Sequence, residues 1–117
     1  MESAISQQEL YRSLRRWTRY KIDVRLKVSF SNEGKRESAF GRANSLSRGG
    51  LGAYIPCTLA VGATVGLELT LPYSSTEAKV EAVIRSCEGF RYGLEFTRVP
   101  SDVQAVLAKH CDPELVQ

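Results

Sequence analysis

Ile22-Asp23-Val24-Arg25-Leu26-Lys27-Val28-Ser29-Phe30 carries an apolar side chain at every second position, with a charged or hydroxyl-bearing one between. Side chains alternate faces along a strand, so the segment predicts a strand buried on one side. Asn32-Glu33-Gly34-Lys35 then supplies turn residues. Glu37 to Ala43 is expected to return as a second strand, lower in propensity at Ala39, Gly41 and Ala43.

The same pattern continues outward. Leu51 to Ile55 reads as a third strand ended by Pro56, and Val65, Leu67, Leu69 and Leu71 alternate as a fourth that Pro72 stops. Val80, Ala82 and Ile84 mark a fifth, and Glu88-Gly89-Phe90 turns into a sixth carrying Tyr92, Leu94 and Phe96. Six short strands close together in sequence predict an antiparallel barrel, because closure removes exposed sheet edges. Its expected core contains Val24, Leu26, Val28, Leu67, Leu69, Ile84, Leu94 and Phe96. A helix is expected over 101–111, where Ser101-Asp102-Val103-Gln104 resembles a capping box and Val103, Val106, Leu107 and His110 share a face. Ile5 to Leu14 allows a short N-terminal helix.

With 117 residues and 43% apolar content the chain suits one domain, divided into an arm (1–21), a barrel (22–98) and the terminal helix (101–111). No stretch approaches the roughly 20 apolar residues of a membrane span, and the N-terminus lacks a signal pattern, so the expectation is a cytoplasmic protein without membrane insertion. Cys57, Cys87 and Cys111 form an odd, widely spaced set, which favours free thiols over a disulfide frame or a zinc site; neither metal nor cofactor is expected. His110 and Cys111 do not make a nucleophile and base, since adjacent helical residues diverge by about 100°. No catalytic set is apparent.

The net charge is only +3, but its distribution is uneven. Arg12, Arg15, Arg16, Arg19, Lys21, Arg25 and Lys27 are accompanied by Asp23 alone, which points to an anionic partner near the arm or to a solvated basic face. Aromatic residues Trp17, Tyr20, Tyr54, Phe90 and Tyr92 could stack bases, although a small barrel uses most of its aromatics to fill or seal the core.

Three elements in order carry a family likeness. Arg15-Arg16-Trp17-Thr18-Arg19-Tyr20 precedes the first strand, Ser45-Leu46-Ser47-Arg48-Gly49-Gly50 joins the second to the third, and Tyr92-Gly93-Leu94-Glu95-Phe96 closes the series. Together they resemble the PilZ family, marked by Arg-x-x-x-Arg and a later Asp/Asn-x-Ser-x-x-Gly element. Arg15 and Arg19 match the first element, Ser47 and Gly50 the second. The resemblance implies a six-stranded PilZ-type barrel that binds the bacterial second messenger cyclic di-GMP and passes the signal to a protein partner, without catalysis. It implies a ligand site of Arg15, Arg16, Arg19, Ser45, Ser47, Arg48 and Gly50, with the arm arginines closing over the barrel. Guanidinium groups suit that ligand, since they fork onto phosphate oxygens, reach guanine O6 and N7, and stack on bases. Leu14 directly before the arm element favours one ligand molecule per site.

One position departs from the pattern. Ser45 stands where the family has Asp or Asn, and the neighbouring amide, Asn44, comes one residue early. A carboxylate accepts from both N1–H and N2–H of guanine, which a hydroxyl does not do well. Because successive strand residues face opposite sides, Asn44 can replace it only if a bulge shifts the register. Two alternatives therefore stay open: a PilZ-fold protein-interaction module that has lost the nucleotide, and a single-stranded nucleic-acid binder. The second fits less well, because the cations cluster on an arm instead of along a groove.

Overall fold

The computed structural model describes residues 19–72 and 74–111. The sequence-predicted N-terminal helix, Arg15, Arg16 and Trp17 lie outside the described residues, as do the side chains of His110 and Cys111.

Six antiparallel strands close into a barrel, with one helix after them. They are β1 (Tyr20–Asn32), β2 (Lys35–Leu46), β3 (Gly50–Tyr54), β4 (Thr64–Thr70), β5 (Glu77–Glu88) and β6 (Arg91–Arg98), followed by α1 (Ser101–Cys111). The order around the barrel is β1-β2-β3-β6-β5-β4, closed by β4 against β1. Each strand expected from the alternation is present, and most are longer than that pattern alone marks. Tyr20 and Lys21, which the sequence placed in the arm, form the first rungs of β1 against Leu46 and Ser45. The second strand extends beyond Ala43 to Leu46 because hydrogen bonding to β1 and β3 outweighs the low propensity of its small residues.

A two-residue turn joins β1 to β2. Asn32 pairs with Lys35, and Glu33 and Gly34 both have positive φ, 53° and 81°. Both central residues of the turn are thus left-handed, the form whose twist matches the flanking strands. Glu33 is the one non-glycine among the described residues with positive φ.

The alternating apolar positions of the strands point inward, while Phe40 on β2 and Tyr54 at the end of β3 are exposed. Leu26, Val28, Leu51, Leu67, Ile84 and Leu94 are almost completely buried, and Val103 and Leu107 of α1 join the same cluster. Two residues of the expected core, Val24 and Phe96, are half-buried and pack against it. Phe96 lies between the β2–β3 turn and α1, where its neighbours are Gly49, Val99 and Leu107, so it seals the seam instead of filling the centre. Gln104 reaches back before the helix as the capping pattern suggests, but its Nε2 donates to the Val99 carbonyl at 3.0 Å.

Tyr92 ties β6 to the loop after β3. Its hydroxyl donates to the Cys57 carbonyl at 2.6 Å and accepts from the Leu59 N–H at 2.9 Å. Tyr54 and Phe90, in contrast, are both exposed and meet edge to face, ring centroids 6.1 Å apart. Tyr54 ends β3 and Phe90 sits in the β5–β6 turn, where the barrel offers no interior to fill.

Candidate functional site

The outer face of the barrel carries a row of register partners that crosses five strands. Lys21 on β1 pairs with Ser45 on β2, Ser45 with Gly52 on β3, Gly52 with Gly93 on β6, and Gly93 with Ser86 on β5. Partners across a sheet share a face. Two glycines thus leave the middle of the sheet without side chains, and a serine hydroxyl stands at each side. The inward neighbours, Leu51, Ala53, Tyr92 and Leu94, are buried.

Bulges bracket this bare strip. On β2, Ala43 pairs with Ala53 and Ser45 with Gly52, so Asn44 is one residue too many for β3. On β5, Ile84 pairs with Leu94 and Ser86 with Gly93, which makes Arg85 the extra residue. A bulge bends the strand and re-aims the side chains beside it. Its effect on β2 is plain from burial: Ala43 and Leu46 are buried, while Asn44 and Ser45 both stay outside. A Cβ placed on Gly52 would sit 2.7 Å from Ser45 Oγ and 3.2 Å from Asn44 Oδ1, so the two side-chain oxygens share the space above one α-carbon.

Over this strip lies an open groove of about 770 Å³. That volume falls within the range of small-molecule sites. Its rim carries Arg19 and Lys21 on the β1 side and Arg91 with Glu88 on the β5–β6 side, an excess of positive charge suited to a dianion. Arg42 and Arg85 are engaged elsewhere: Arg42 Nε bonds Asp23 Oδ1 at 2.6 Å and Arg85 Nε bonds Glu95 Oε1 at 2.6 Å. A smaller groove, about 230 Å³, sets Arg25, Lys27 and Lys79 against Glu68 and Glu77 and offers an anion a smaller positive excess. The basic run of the sequence is therefore divided between two faces, with Lys21 at the glycine strip and Arg25 and Lys27 away from it.

The structure brings Arg19 and Ser45 together in the larger groove and leaves Ser47, Arg48 and Gly50 out of its lining. Ser47 is buried, and its hydroxyl accepts from the Gly49 N–H at 3.2 Å and donates to the Gly50 carbonyl at 3.3 Å. The Ser47 N–H bonds the same carbonyl at 2.9 Å. Gly50 is buried where a Cβ would lie 2.1 Å from the Leu94 carbonyl oxygen. Arg48 is exposed and lines a separate hollow beside Phe96 and α1. In the described structure the Ser47-to-Gly50 segment is a tight turn that holds β2 and β3 in place, and the strip lies one step before it. Arg15 and Arg16 are outside the described residues.

The pattern matches a family model described as PilZ domain over residues 13–112. The chain belongs to the PilZ domain family. As a PilZ domain it also has solved counterparts of the same fold. A Bacillus subtilis inhibitor of motility, MotI/DgrA, superposes with a TM-score of 0.70 at 19% identity over 83% of this chain. The PilZ chain spans 49% of that structure, about half its length. The PilZ domain of CeSA from a cellulose-synthesizing bacterium gives 0.60 at 18% identity, covering 78% of this chain and 91% of that one. The PilZ domain of YcgR from Escherichia coli, solved with cyclic di-GMP, gives 0.60 at 18% identity, covering 81% and 86%. No curated protein matches the chain in sequence.

Of the groove lining, the family pattern points to Arg19 and Ser45 and the basic run to Lys21, whereas no motif marks Gly52, Ser86, Arg91 and Gly93 as groove residues. These four come from three strands, and no spacing links them; the pairing register makes them neighbours. Asn44 was identified conditionally, and the bulge that the condition required is present in β2.

Proposed function

We propose that this PilZ domain is a cytoplasmic receptor for cyclic di-GMP that couples ligand binding to a protein partner and catalyses no reaction. The observation that carries the reading is the glycine-floored strip framed by Arg19, Lys21 and Arg91. A purine can lie flat on a sheet surface that lacks side chains, while guanidinium and ammonium groups on both rims meet the two phosphates. Arg15, which matches the family's Arg-x-x-x-Arg element with Arg19, and Arg16 beside it would close over the ligand from the β1 side. Ser47 and Gly50 serve the site indirectly by fixing the turn. A ligand that binds only the closed arm shifts the population toward it, and a partner that recognises the closed state is thereby coupled.

A second reading, a PilZ-fold interaction module without nucleotide binding, is favoured by one feature only, Ser45 at the usual Asp or Asn position. Calorimetric titration with cyclic di-GMP, alongside linear guanosine oligonucleotides, separates these readings. Saturable binding of the cyclic ligand, one molecule per chain, supports the receptor. Absence of binding near millimolar ligand supports the interaction module, and affinity that rises with oligonucleotide length and collapses with salt supports a nucleic-acid binder.

A further inference from the structure

We infer that Asn44 and Ser45 act together as the reader of the base edge, Asn44 replacing the carboxylate or amide that the family pattern places at the Ser45 position, and that the pair accepts adenine as well as guanine. The inference rests on the receptor reading above and names the residues and the ligand range of that same groove.

Geometry supplies the first support. On a regular strand Asn44 and Ser45 would face opposite sides, and one of them would enter the barrel. The register shift between Ala43 and Ser45 absorbs the extra residue, and the two polar side chains emerge together between buried Ala43 and Leu46. Asn44 Oδ1 and Ser45 Oγ converge over Gly52, the one position on β3 where a missing Cβ leaves room for both. An alanine at 52 would press on Ser45 Oγ, so the glycine and the bulge belong to one arrangement. Both side chains line the groove, and no described residue hydrogen-bonds either of them, so their polar atoms are available to a ligand.

Chemistry supplies the second. An ionised carboxylate only accepts, which suits the adjacent N1–H and N2–H of guanine and repels the N1 lone pair of adenine. An amide beside a hydroxyl offers acceptors and donors and can turn to present either. Toward guanine, Asn44 Oδ1 accepts from the N1 or N2 side while its amide N–H or the Ser45 hydroxyl donates to O6. Toward adenine, Asn44 Oδ1 accepts from N6–H and the Ser45 hydroxyl donates to N1. A site built this way takes purine cyclic dinucleotides, including the mixed guanine–adenine one, with less discrimination than a carboxylate imposes.

The test titrates the full-length chain, Asn44→Ala and Asn44→Asp with cyclic di-GMP and with cyclic GMP–AMP, following thermal unfolding of each variant to establish that it is folded. Asn44 is exposed at a bulge, so both variants are expected to fold. The inference expects Asn44→Ala to weaken cyclic di-GMP binding by about ten-fold or more, in keeping with the loss of a base-edge contact. It expects the parent to bind both nucleotides within about ten-fold of one another, and Asn44→Asp to widen that ratio in favour of cyclic di-GMP by about ten-fold. Parent binding that is unchanged in Asn44→Ala overturns the assignment while leaving the receptor reading intact. Parent binding of cyclic di-GMP with the mixed nucleotide excluded overturns the ligand range. A parent that binds neither nucleotide overturns the receptor reading itself, and the present inference with it.

Discussion

Gly50 approaches β6 so closely that a Cβ on it would lie 2.1 Å from the carbonyl oxygen of Leu94. The atom it would meet belongs to a strand backbone inside a closed barrel, and it cannot swing aside as a flexible side chain could. The family's motif glycine is thus explained here by strand packing. Gly50→Ala is expected to cost about 3 kcal/mol, the upper end of ordinary overpacking. Denaturant unfolding measures this; a variant as stable as the parent would show that β3 and β6 can separate at this rung.

The two rims of the glycine strip should contribute to ligand binding separately. Arg19→Ala and Arg91→Ala each remove a guanidinium from one side, and a lost charged hydrogen bond costs roughly 1.5–3 kcal/mol, or about ten-fold or more in affinity. Arg42 serves as the control, because it is exposed and already paired with Asp23. Titration with cyclic di-GMP should show Arg42→Ala near the parent and the other two clearly weaker, with all three melting close to the parent.

Tyr92 links stability to alkaline pH. Burial, above all, raises its hydroxyl above the ordinary value of 10.0, with the Leu59 N–H opposing and Cys87 and Cys57 adding to the rise. Burial, then the charge of Glu37, raises the Cys57 thiol above 9.0. For both groups the folded state favours the protonated form. Their contribution is complete below the ordinary values and is lost as pH climbs through the raised ones. The melting temperature should therefore fall from about pH 9 upward. Tyr92→Phe leaves the Leu59 N–H without its acceptor and should cost about 1–3 kcal/mol at neutral pH. Above pH 10 its melting temperature should decline less steeply than the parent's, which pH-dependent calorimetry resolves.

The β1–β2 turn offers a gain. Glu33 holds φ at 53°, a left-handed conformation that asparagine tolerates better than glutamate. Glu33→Asn is expected to stabilise the domain by about 0.5–1 kcal/mol. Glu33 does not line the groove, so ligand affinity should stay at the parental value while thermal unfolding moves upward.

The legible part of this molecule is the part governed by local chain geometry. Ile22 to Phe30 and the later alternating runs could be assigned as strands because the period of two is a property of each strand alone, and Asn32-Glu33-Gly34-Lys35 could be assigned as a turn because Gly34 adopts positive φ at no steric cost. The paired motifs identified the family for the same reason, as short patterns at fixed spacing. Ser47 and Gly50 were legible as motif residues but not as turn builders, since their environment is the β6 backbone and their own turn. The site was legible only in pieces. Lys21, Ser45, Gly52, Gly93 and Ser86 meet across five strands because hydrogen-bond register aligns them, and the side on which Asn44 emerges depends on one extra residue in β2 relative to β3. The alternation that assigns each strand carries no record of such a shift, because a bulge is stabilised by the partner strand and reverses the face of every side chain beyond it. The sequence thus determined which strands exist and which family they serve, and long-range pairing decided which of their outward residues form a groove.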